Sequence, residues 1–146
     1  MRLTTFTDYT IRVLIYLALH PDELSTVAEL AQRYEISRNH LTKVIHHLGK
    51  QGYIETLRGK RGGIRLATSA ADINLCSLIR ETEKNSALVE CFAPSVNHCK
   101  ITPACRLSGV LHEAQEAFYQ VLDKYSVSDL VTNPAALDRL LDLRYA

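Results

Sequence analysis

The sequence lacks any uninterrupted apolar run that approaches the roughly 18 residues needed to cross a bilayer. Its opening residues, MRLTTFTDYT, do not follow the charged-then-apolar order of a secretory signal peptide. These absences predict a cytoplasmic protein that does not contact a membrane. Since thiols stay reduced in the cytoplasm, clustered cysteines in such a protein are more often metal ligands than disulfides.

Signatures of catalysis are also scarce. The chain shows no catalytic acid–base pair, no nucleotide-binding glycine motif and no Cys-x-x-Cys pair of the kind found in thiol redox enzymes. We therefore do not expect an enzyme. The composition, 47% hydrophobic and 23% charged over 146 residues, is that of an ordinary globular protein and argues against disorder.

The net charge of +1 conceals an asymmetry between the two halves of the chain. Residues 1–67 carry ten Lys or Arg and six Asp or Glu, whereas residues 68–146 carry seven and ten. Within residues 37–67, seven basic residues stand against one acidic residue, Glu55. A local excess of positive charge of this size indicates a polyanion such as DNA as the partner.

Apolar periodicity predicts three helices in the basic half. The first is expected to begin at a cap on Thr7 or Asp8 and to end near Leu19, and the second covers VAELAQRY. The third covers RNHLTKVIHHLGKQ behind a cap on Ser37, with its apolar stripe towards the core. The second and third helices, joined by a tight turn at Glu35, make a helix-turn-helix.

A basic hairpin is predicted directly after the helix-turn-helix. Its two strands cover residues 53–57 and 64–67, and the loop RGKRGG joins them. This order of elements predicts a winged helix, whose wing follows phosphates or enters a narrow minor groove. The residues expected to contact DNA belong to the recognition helix, the wing and the first helix: Ser37, Arg38, Asn39, His40, Lys43, Arg58, Lys60, Arg61, Arg65 and Tyr9.

Three of the four cysteines, Cys91, Cys99 and Cys105, lie close together as Cys-x7-Cys-x5-Cys. Thiolates bind zinc, copper(I) and iron–sulfur clusters, but structural zinc usually shows closer cysteine pairs and four ligands. The wide spacing favours a loop around an iron–sulfur cluster, with zinc and a thiol switch as alternatives. A fourth ligand must come from elsewhere, and the candidates are His98, His112 and Asp8.

Two further helices are predicted in the second half. A helix over residues 72–84 includes Cys76 among apolar neighbours, so this cysteine is expected to be a core residue. A longer helix is expected from Thr102 or Pro103 to about Tyr125, with an apolar stripe that packs on a second copy of the chain.

The expected fold is mainly α with a small β-hairpin wing, in which a winged helix-turn-helix head is followed by a long dimerisation helix. Residues 1–84 are expected to form the DNA-binding domain and residues 85–105 a cysteine-containing, cluster-binding loop. The remaining residues, 106–146, are expected to form the dimerisation helix and a C-terminal tail.

The segments LTTFTDYTIRVLIYLA, ISRNHLTKVI, RGKRGGIRLA and CKITPACRL, in this order, resemble the NsrR family of nitric-oxide-sensing repressors. That family belongs to a superfamily of winged-helix regulators that often carry iron–sulfur clusters. The resemblance implies a homodimer that binds a palindromic operator in double-stranded DNA and represses nitric-oxide-defence genes while it holds a cluster. Nitric oxide attacks the cluster, and DNA binding is lost.

The resemblance also implies a ligand set. Cys91, Cys99 and Cys105 would hold the cluster, with Asp8 of the partner subunit as the fourth ligand and 4Fe–4S favoured over 2Fe–2S. Relatives that govern cluster assembly carry a histidine ligand three residues after the last cysteine, where this chain has Ser108. The first cysteine interval is also longer than is usual in the family.

Three other functions remain as alternatives. The first is a regulator of the same fold that senses iron or redox state through the same cysteines. The others, from different classes, are a small iron–sulfur electron carrier and a structural zinc protein. The electron carrier explains the cysteines but leaves the basic segment of residues 37–67 without a purpose.

Overall fold

The computed structural model describes residues 2–142, with Pro94 described by its backbone alone. Met1 and residues 143–146, the end of the predicted tail, lie outside the described residues. The helices and strands are α1 (Thr5–Leu19), α2 (Val27–Tyr34), α3 (Arg38–Lys50), β1 (Ile54–Leu57), β2 (Gly63–Leu66), α4 (Leu75–Thr82), α5 (Arg106–Leu122) and α6 (Pro134–Asp142). Single 3-10 turns lie at 70–72, 90–92, 94–96, 102–104 and 127–131. The predicted fold class, mainly α with a hairpin wing, is confirmed.

Helix α1 begins earlier than the sequence pattern predicts. Its N-cap is Thr4, whose hydroxyl accepts a hydrogen bond from the backbone N–H of Thr7 at 3.2 Å. The expectation that Thr7 or Asp8 caps this helix is wrong, because Thr4 already satisfies an unpaired amide of the first turn. Thr7 is instead fully buried inside the helix, and Asp8 lies in its first turn.

The helix-turn-helix forms as predicted. Thr26 and Glu29 close a capping box at the start of α2, and Glu35 ends that helix in the left-handed conformation with φ 55°. Ser37 caps α3 by accepting from the N–H of His40 at 3.3 Å. The buried residues of α3 are the predicted apolar stripe, Leu41, Val44, Ile45 and Leu48.

The wing is an antiparallel hairpin in which Ile54 pairs with Leu66 and Thr56 with Ile64. A third segment joins it, since Ser25 and Ile64 exchange two backbone hydrogen bonds of 3.0 and 2.8 Å. A Cβ added at Gly63 would lie 2.8 Å from the carbonyl oxygen of Ser25, so only glycine permits this close approach. The wing is therefore fixed to the head immediately before α2.

One core unites the three helices, the hairpin and part of the chain after α5. Its fully buried members come from α1, α2, α3, α4 and the chain after α5: Val13, Leu14, Leu30, Leu41, Leu48, Leu78 and Val127. Val127 reaches this core because its N–H donates to the carbonyl oxygen of Ile73 at 2.9 Å. The chain thus returns to the head after α5, and α6 packs near α2.

Helices α4 and α5 are both shorter than predicted. Asn74 caps α4 by accepting from the N–H of Ser77 at 3.0 Å, so the helix begins at Leu75. Cys76 is buried beside Ile79 and Tyr119, which confirms its expected place in the core. Residues 102–104 form a separate 3-10 turn because the chain bends at Cys105, and α5 begins after that bend.

Candidate functional site

The first turns of α3 present a polar surface to solvent. Ser37, Arg38, Asn39, His40 and Lys43 are all exposed, while the opposite face of the helix is buried in the core. Exposed side chains at the N-terminal end of a recognition helix reach base edges in the major groove, and the helix N-terminus itself favours phosphate. The structure therefore brings the five predicted α3 residues together on one accessible face.

Tyr9 of α1 lies beside this face. Its ring centroid is 6.1 Å from that of His40, and the guanidinium of Arg12 lies 6.0 Å from its centroid on the same helix. A mainly apolar groove separates α1 from α3 and is lined by Thr5, Phe6, Tyr9, His40, Lys43 and Val44. This places the aromatic side chain at the edge of the predicted DNA-reading surface.

The four basic residues of the wing are not equivalent. Arg58, Lys60 and Arg61 are exposed in the loop between the strands. Arg65 lies on β2, where its Nε donates to the carboxylate of Glu55 at 2.6 Å. Since Glu55 offsets the charge of Arg65, the tip of the wing carries the stronger positive field.

The two histidines near the end of α3 differ from each other. Both are expected from the sequence to face solvent or phosphate, and His46 is exposed. His47 instead turns inward, with its ring edge-on to Phe6 at 5.2 Å between centroids. Its Nε2 lies 3.5 Å from Oε1 of Glu81 on α4, so the recognition helix touches the helix that precedes the cysteines.

The cysteine segment, residues 85–105, is built from short turns. Asn97 organises its centre by accepting from the N–H of Cys99 at 3.0 Å and donating to the hydroxyl of Thr102 at 3.1 Å. The ring of Phe92 stacks on His112 of α5 at 3.7 Å and 15° between planes. The aromatic stack therefore attaches the segment to α5.

The three thiols of this segment remain accessible. Cys91, Cys99 and Cys105 are free and only half-buried or exposed, in contrast to Cys76. The thiol of Cys91 lies 3.7 Å from the hydroxyl of Ser108, on the first turn of α5. Free, accessible sulfur donors are the ligands that soft metals and iron–sulfur clusters take, so the donor chemistry fits such a group.

Asp8 and the three cysteines do not form a closed site within a single chain. Across residues 2–142, no three His, Cys, Asp or Glu side chains come together in a way that could hold a metal ion. Asp8 is half-exposed on α1 and forms an ion pair with Arg12 at 2.9 Å. The structure of one chain therefore does not bring Asp8 and the three cysteines together among the described residues.

Sequence reasoning missed a buried carboxylate that links α1 to α4. Glu83 accepts from the backbone N–H and the hydroxyl of Thr4, at 2.7 and 2.9 Å, and also from the hydroxyl of Thr7. Burial opposes the negative charge, but these hydrogen bonds outweigh it and hold the pKa of Glu83 below its ordinary value. The partners are 76 and 79 residues apart, so no local pattern could reveal them.

The sequence of this chain matches a known protein family. The sequence model of the Rrf2 family, described as iron-dependent transcriptional regulator, matches residues 3–133. This chain belongs to the Rrf2 family. It is 52% identical over 145 residues to the HTH-type transcriptional regulator NsrR of Halalkalibacterium halodurans, with 99% of both chains covered. It is 53% identical to the NsrR of Shouchella clausii, with 99% of this chain and 97% of that one covered.

A solved structure agrees on the fold. The chain superposes on T. potens IscR with a TM-score of 0.72 at 22% identity, covering 91% of this chain and 88% of the other. Within the Rrf2 family the chain is an NsrR-type transcriptional regulator that binds DNA, which confirms the resemblance and the expectation that it is not an enzyme. In the described part of the chain, no helix is both long and apolar enough to span a membrane.

Proposed function

We propose that this regulator is a homodimeric repressor that senses nitric oxide through an iron–sulfur cluster. The observation that carries the proposal is the combination, in one NsrR-type chain, of an exposed basic reading face with three accessible thiols. The proposed division is a DNA-binding domain over residues 1–84, a cluster-binding loop over 85–105 and a dimerisation helix with tail over 106–146.

Base reading is assigned to the first turn of α3. Arg38 can donate two hydrogen bonds to guanine, and Asn39 can pair with adenine, since each side chain matches the acceptors and donors that those bases present in the major groove. His40 lies next to them and is exposed on the same face. Ser37, Lys43 and Tyr9 are assigned to phosphates, which position the head without carrying sequence information.

Arg58, Lys60 and Arg61 extend this contact along the backbone of the operator. Their long cationic side chains are exposed at the tip of the hairpin, where they can follow phosphates or enter a narrow minor groove. Arg65 contributes less, because Glu55 already accepts its Nε hydrogen bond. The wing therefore supplies mainly charge-dependent affinity.

The exposed apolar face of α5 supports the dimer. Leu107, Val110 and Val121 are 60%, 52% and 54% exposed, an unusual state for large apolar side chains on one helix. A symmetric dimer buries the same face of both copies and presents two reading heads at a fixed separation. Two such heads match a palindromic operator whose half-sites lie one helical turn or a multiple apart.

The proposed ligands of the cluster are Cys91, Cys99 and Cys105 of one subunit and Asp8 of the partner subunit, with 4Fe–4S favoured over 2Fe–2S. When bound, the cluster supplies iron that reacts with nitric oxide. Asp8 is the weakest donor of the set, because hard oxygen is the poorest match for this chemistry. Arg12, whose Nη2 lies 2.9 Å from Asp8 in the structure, would pair with this carboxylate when it does not hold the cluster. Helix α1 would then lose its tie to the other subunit, and the two heads would lose their fixed separation.

Spectroscopy with parallel DNA binding tests the proposal. Protein purified without oxygen should show the broad visible absorption of an iron–sulfur centre, and nitric oxide should bleach that absorption as operator binding is lost. A colourless protein that contains zinc, or that binds operator regardless of nitric oxide, would refute the sensor mechanism while the DNA-binding function stands.

The variant Asp8→Ala distinguishes the proposed role of Asp8, which would connect the two subunits through the cluster, from cluster binding by the cysteines. It should still take up iron and sulfide through three thiols, but the difference in operator affinity between loaded and nitric-oxide-treated protein should shrink. A variant that loads, binds operator and responds as wild type does would show that Asp8 is not the tie.

A further inference from the structure

The last turn of α4 carries charged side chains that reach different helices. Arg80 reaches α5, where its Nη2 donates to Glu116 at 2.7 Å and its guanidinium lies 3.8 Å from the ring centroid of Tyr119. Glu81 reaches α3, with Oε1 at 3.5 Å from Nε2 of His47. Because successive residues are rotated by about 100° around the helix axis, the side chains of one turn point in different directions and can contact different helices.

Glu83, which ends this turn, reaches α1. It accepts hydrogen bonds from Thr4 and Thr7, so that one carboxylate holds the N-cap and the first turn of the helix. This carboxylate is only 9% exposed, unlike the surface pair between Arg80 and Glu116. Moving α1 away from α4 would leave a buried charge without its donors, which is costly.

Glu81 and His47 form a second polar contact, which is longer than the hydrogen bonds of Glu83. The two facing atoms, Oε1 of Glu81 and Nε2 of His47, are buried 3.5 Å apart and make no hydrogen bond among the described residues. A shift of α3 relative to α4 would remove the polar group that each of these buried atoms faces. The two glutamates therefore make α4 move with both helices of the DNA-reading face.

The cysteine segment is connected to the last turn of α4 in two ways, along the chain and through α5. The segment begins one residue beyond Glu83, after Lys84, and α5 begins directly after Cys105, the last thiol. Phe92 ties the segment to α5 through His112, and Arg80 ties α5 back to α4. A change in the segment thus acts on the end of α4 both along the chain and through the neighbouring helix.

We infer that the end of α4, residues 80–83, is the joint that transmits rearrangement of the cysteine segment to both DNA-reading helices, with Glu81 and Glu83 as positioning residues. Glu83 sets the position of α1 and Glu81 that of α3. The inference rests on the proposed function only in taking the cysteine segment as the sensor.

The test compares Glu83→Gln and Glu81→Gln with wild-type protein, each metal-free and reconstituted with iron and sulfide. Both substitutions keep the shape of the side chain and remove its charge. The control is Asp72→Asn, which removes an exposed carboxylate just before α4. Amide hydrogen exchange is measured over residues 84–105, 5–9 and 38–43, together with operator affinity.

Reconstitution of wild-type protein and of the control should change exchange in all three regions. In Glu83→Gln, reconstitution should still change hydrogen exchange over residues 84–105 but should no longer change it over residues 5–9. In Glu81→Gln, the change in hydrogen exchange over residues 38–43 should disappear. The ratio of operator affinities between loaded and metal-free protein, about 5- to 150-fold for typical coupled sites, should fall towards one in both variants. A loss of stability alone would weaken both forms equally and leave that ratio unchanged.

If reconstitution changes hydrogen exchange over residues 5–9 and 38–43 in both variants as it does in wild-type protein, the inference that residues 80–83 form the joint is wrong. Failure of the proposed function is seen separately, as a wild-type protein that gains no visible absorption on reconstitution. In that case Phe92→Ala, which breaks the stack on His112, replaces reconstitution as the perturbation of the segment. Its effect on exchange at residues 5–9 should be present in the wild-type background and absent with Glu83→Gln, and equal effects in both would refute the joint.

Discussion

Helices α1 and α5 are nearly equal in length and both carry an apolar stripe, yet they differ completely in burial. α1, with 15 residues, buries six of them in the head, whereas α5, with 17, buries only Tyr119. The contrast extends to the surroundings, since no described side chain between residues 84 and 118 is buried. The core of the head is closed once the chain after α5 returns to it, whereas α5 leaves much of its apolar stripe exposed.

This difference explains how the two regions serve one regulator. A reading head must keep α3 and the wing in place whatever the signal, so its core is closed and its caps are satisfied. In the proposed function the second region responds to a cluster and to a second subunit, and elements that respond have few buried contacts of their own. The end of α4 lies at the boundary and touches both.

The largest expected effect distinguishes the two helices by stability. Leu14→Ala removes a fully buried side chain of α1 and should lower the free energy of unfolding by about 2–5 kcal/mol. Leu107→Ala, the matched change on α5, removes a side chain that is 60% exposed and should change the stability of an isolated chain little. Urea unfolding at low protein concentration measures both, and equal losses would contradict the contrast.

The second effect concerns assembly. Val110→Asp places a charge on the exposed stripe of α5 in both copies of the proposed dimer. Loss of about 1.5 kcal/mol of apolar burial from each copy gives a rise in the dimer dissociation constant of roughly 100-fold. Sedimentation velocity should show monomers with an unchanged circular dichroism spectrum. Gln120→Asp, on a different side of α5, is the control and should remain dimeric; dissociation of both variants alike would remove the stripe from the interface.

The head was predictable because its signals are local. Ser37 as a cap, the Thr26 capping box and the stripe from Leu41 to Leu48 all follow from residues within one or two turns. The wing was predictable because its two strands and the glycines between them lie in a single stretch of the sequence. Local propensity and tertiary packing agree in this region, which is the condition for reliable inference from sequence.

The joint was not predictable because its contacts are distant in the chain. Nothing near Glu83 indicates that Thr4 and Thr7 donate to it. His47 was expected to face solvent or phosphate, and only the packing of α4 and Phe6 against α3 turns it inward. Tertiary contacts override the surface assignment of His47.

A smaller effect ranks the basic residues of the wing. Arg61→Ala should weaken operator binding at all sequences and reduce the salt slope by about one, since one phosphate contact is lost. Arg65→Ala should have a smaller effect on the slope, because Glu55 already offsets that charge. Binding measured over a series of salt concentrations gives both slopes. If the two variants show equal salt dependence of operator binding, the tip of the wing does not contribute more charge-dependent affinity than Arg65 on the strand.

The smallest expected effect is the pH-dependent part of the contribution of Glu83 to stability. Its hydrogen bonds hold the pKa in the folded state below the ordinary value of 4.5, so its stabilisation is complete above that pH and is lost as the pH falls towards the folded-state pKa. Glu83→Gln does not titrate, and the difference in free energy of unfolding from wild type should shrink as the pH falls below about 4.5. Thr7→Val removes one donor and should retain part of the dependence. Urea unfolding across this pH range measures all three proteins, and a difference that stays constant with pH would mean that Glu83 acts in the head by shape rather than by charge.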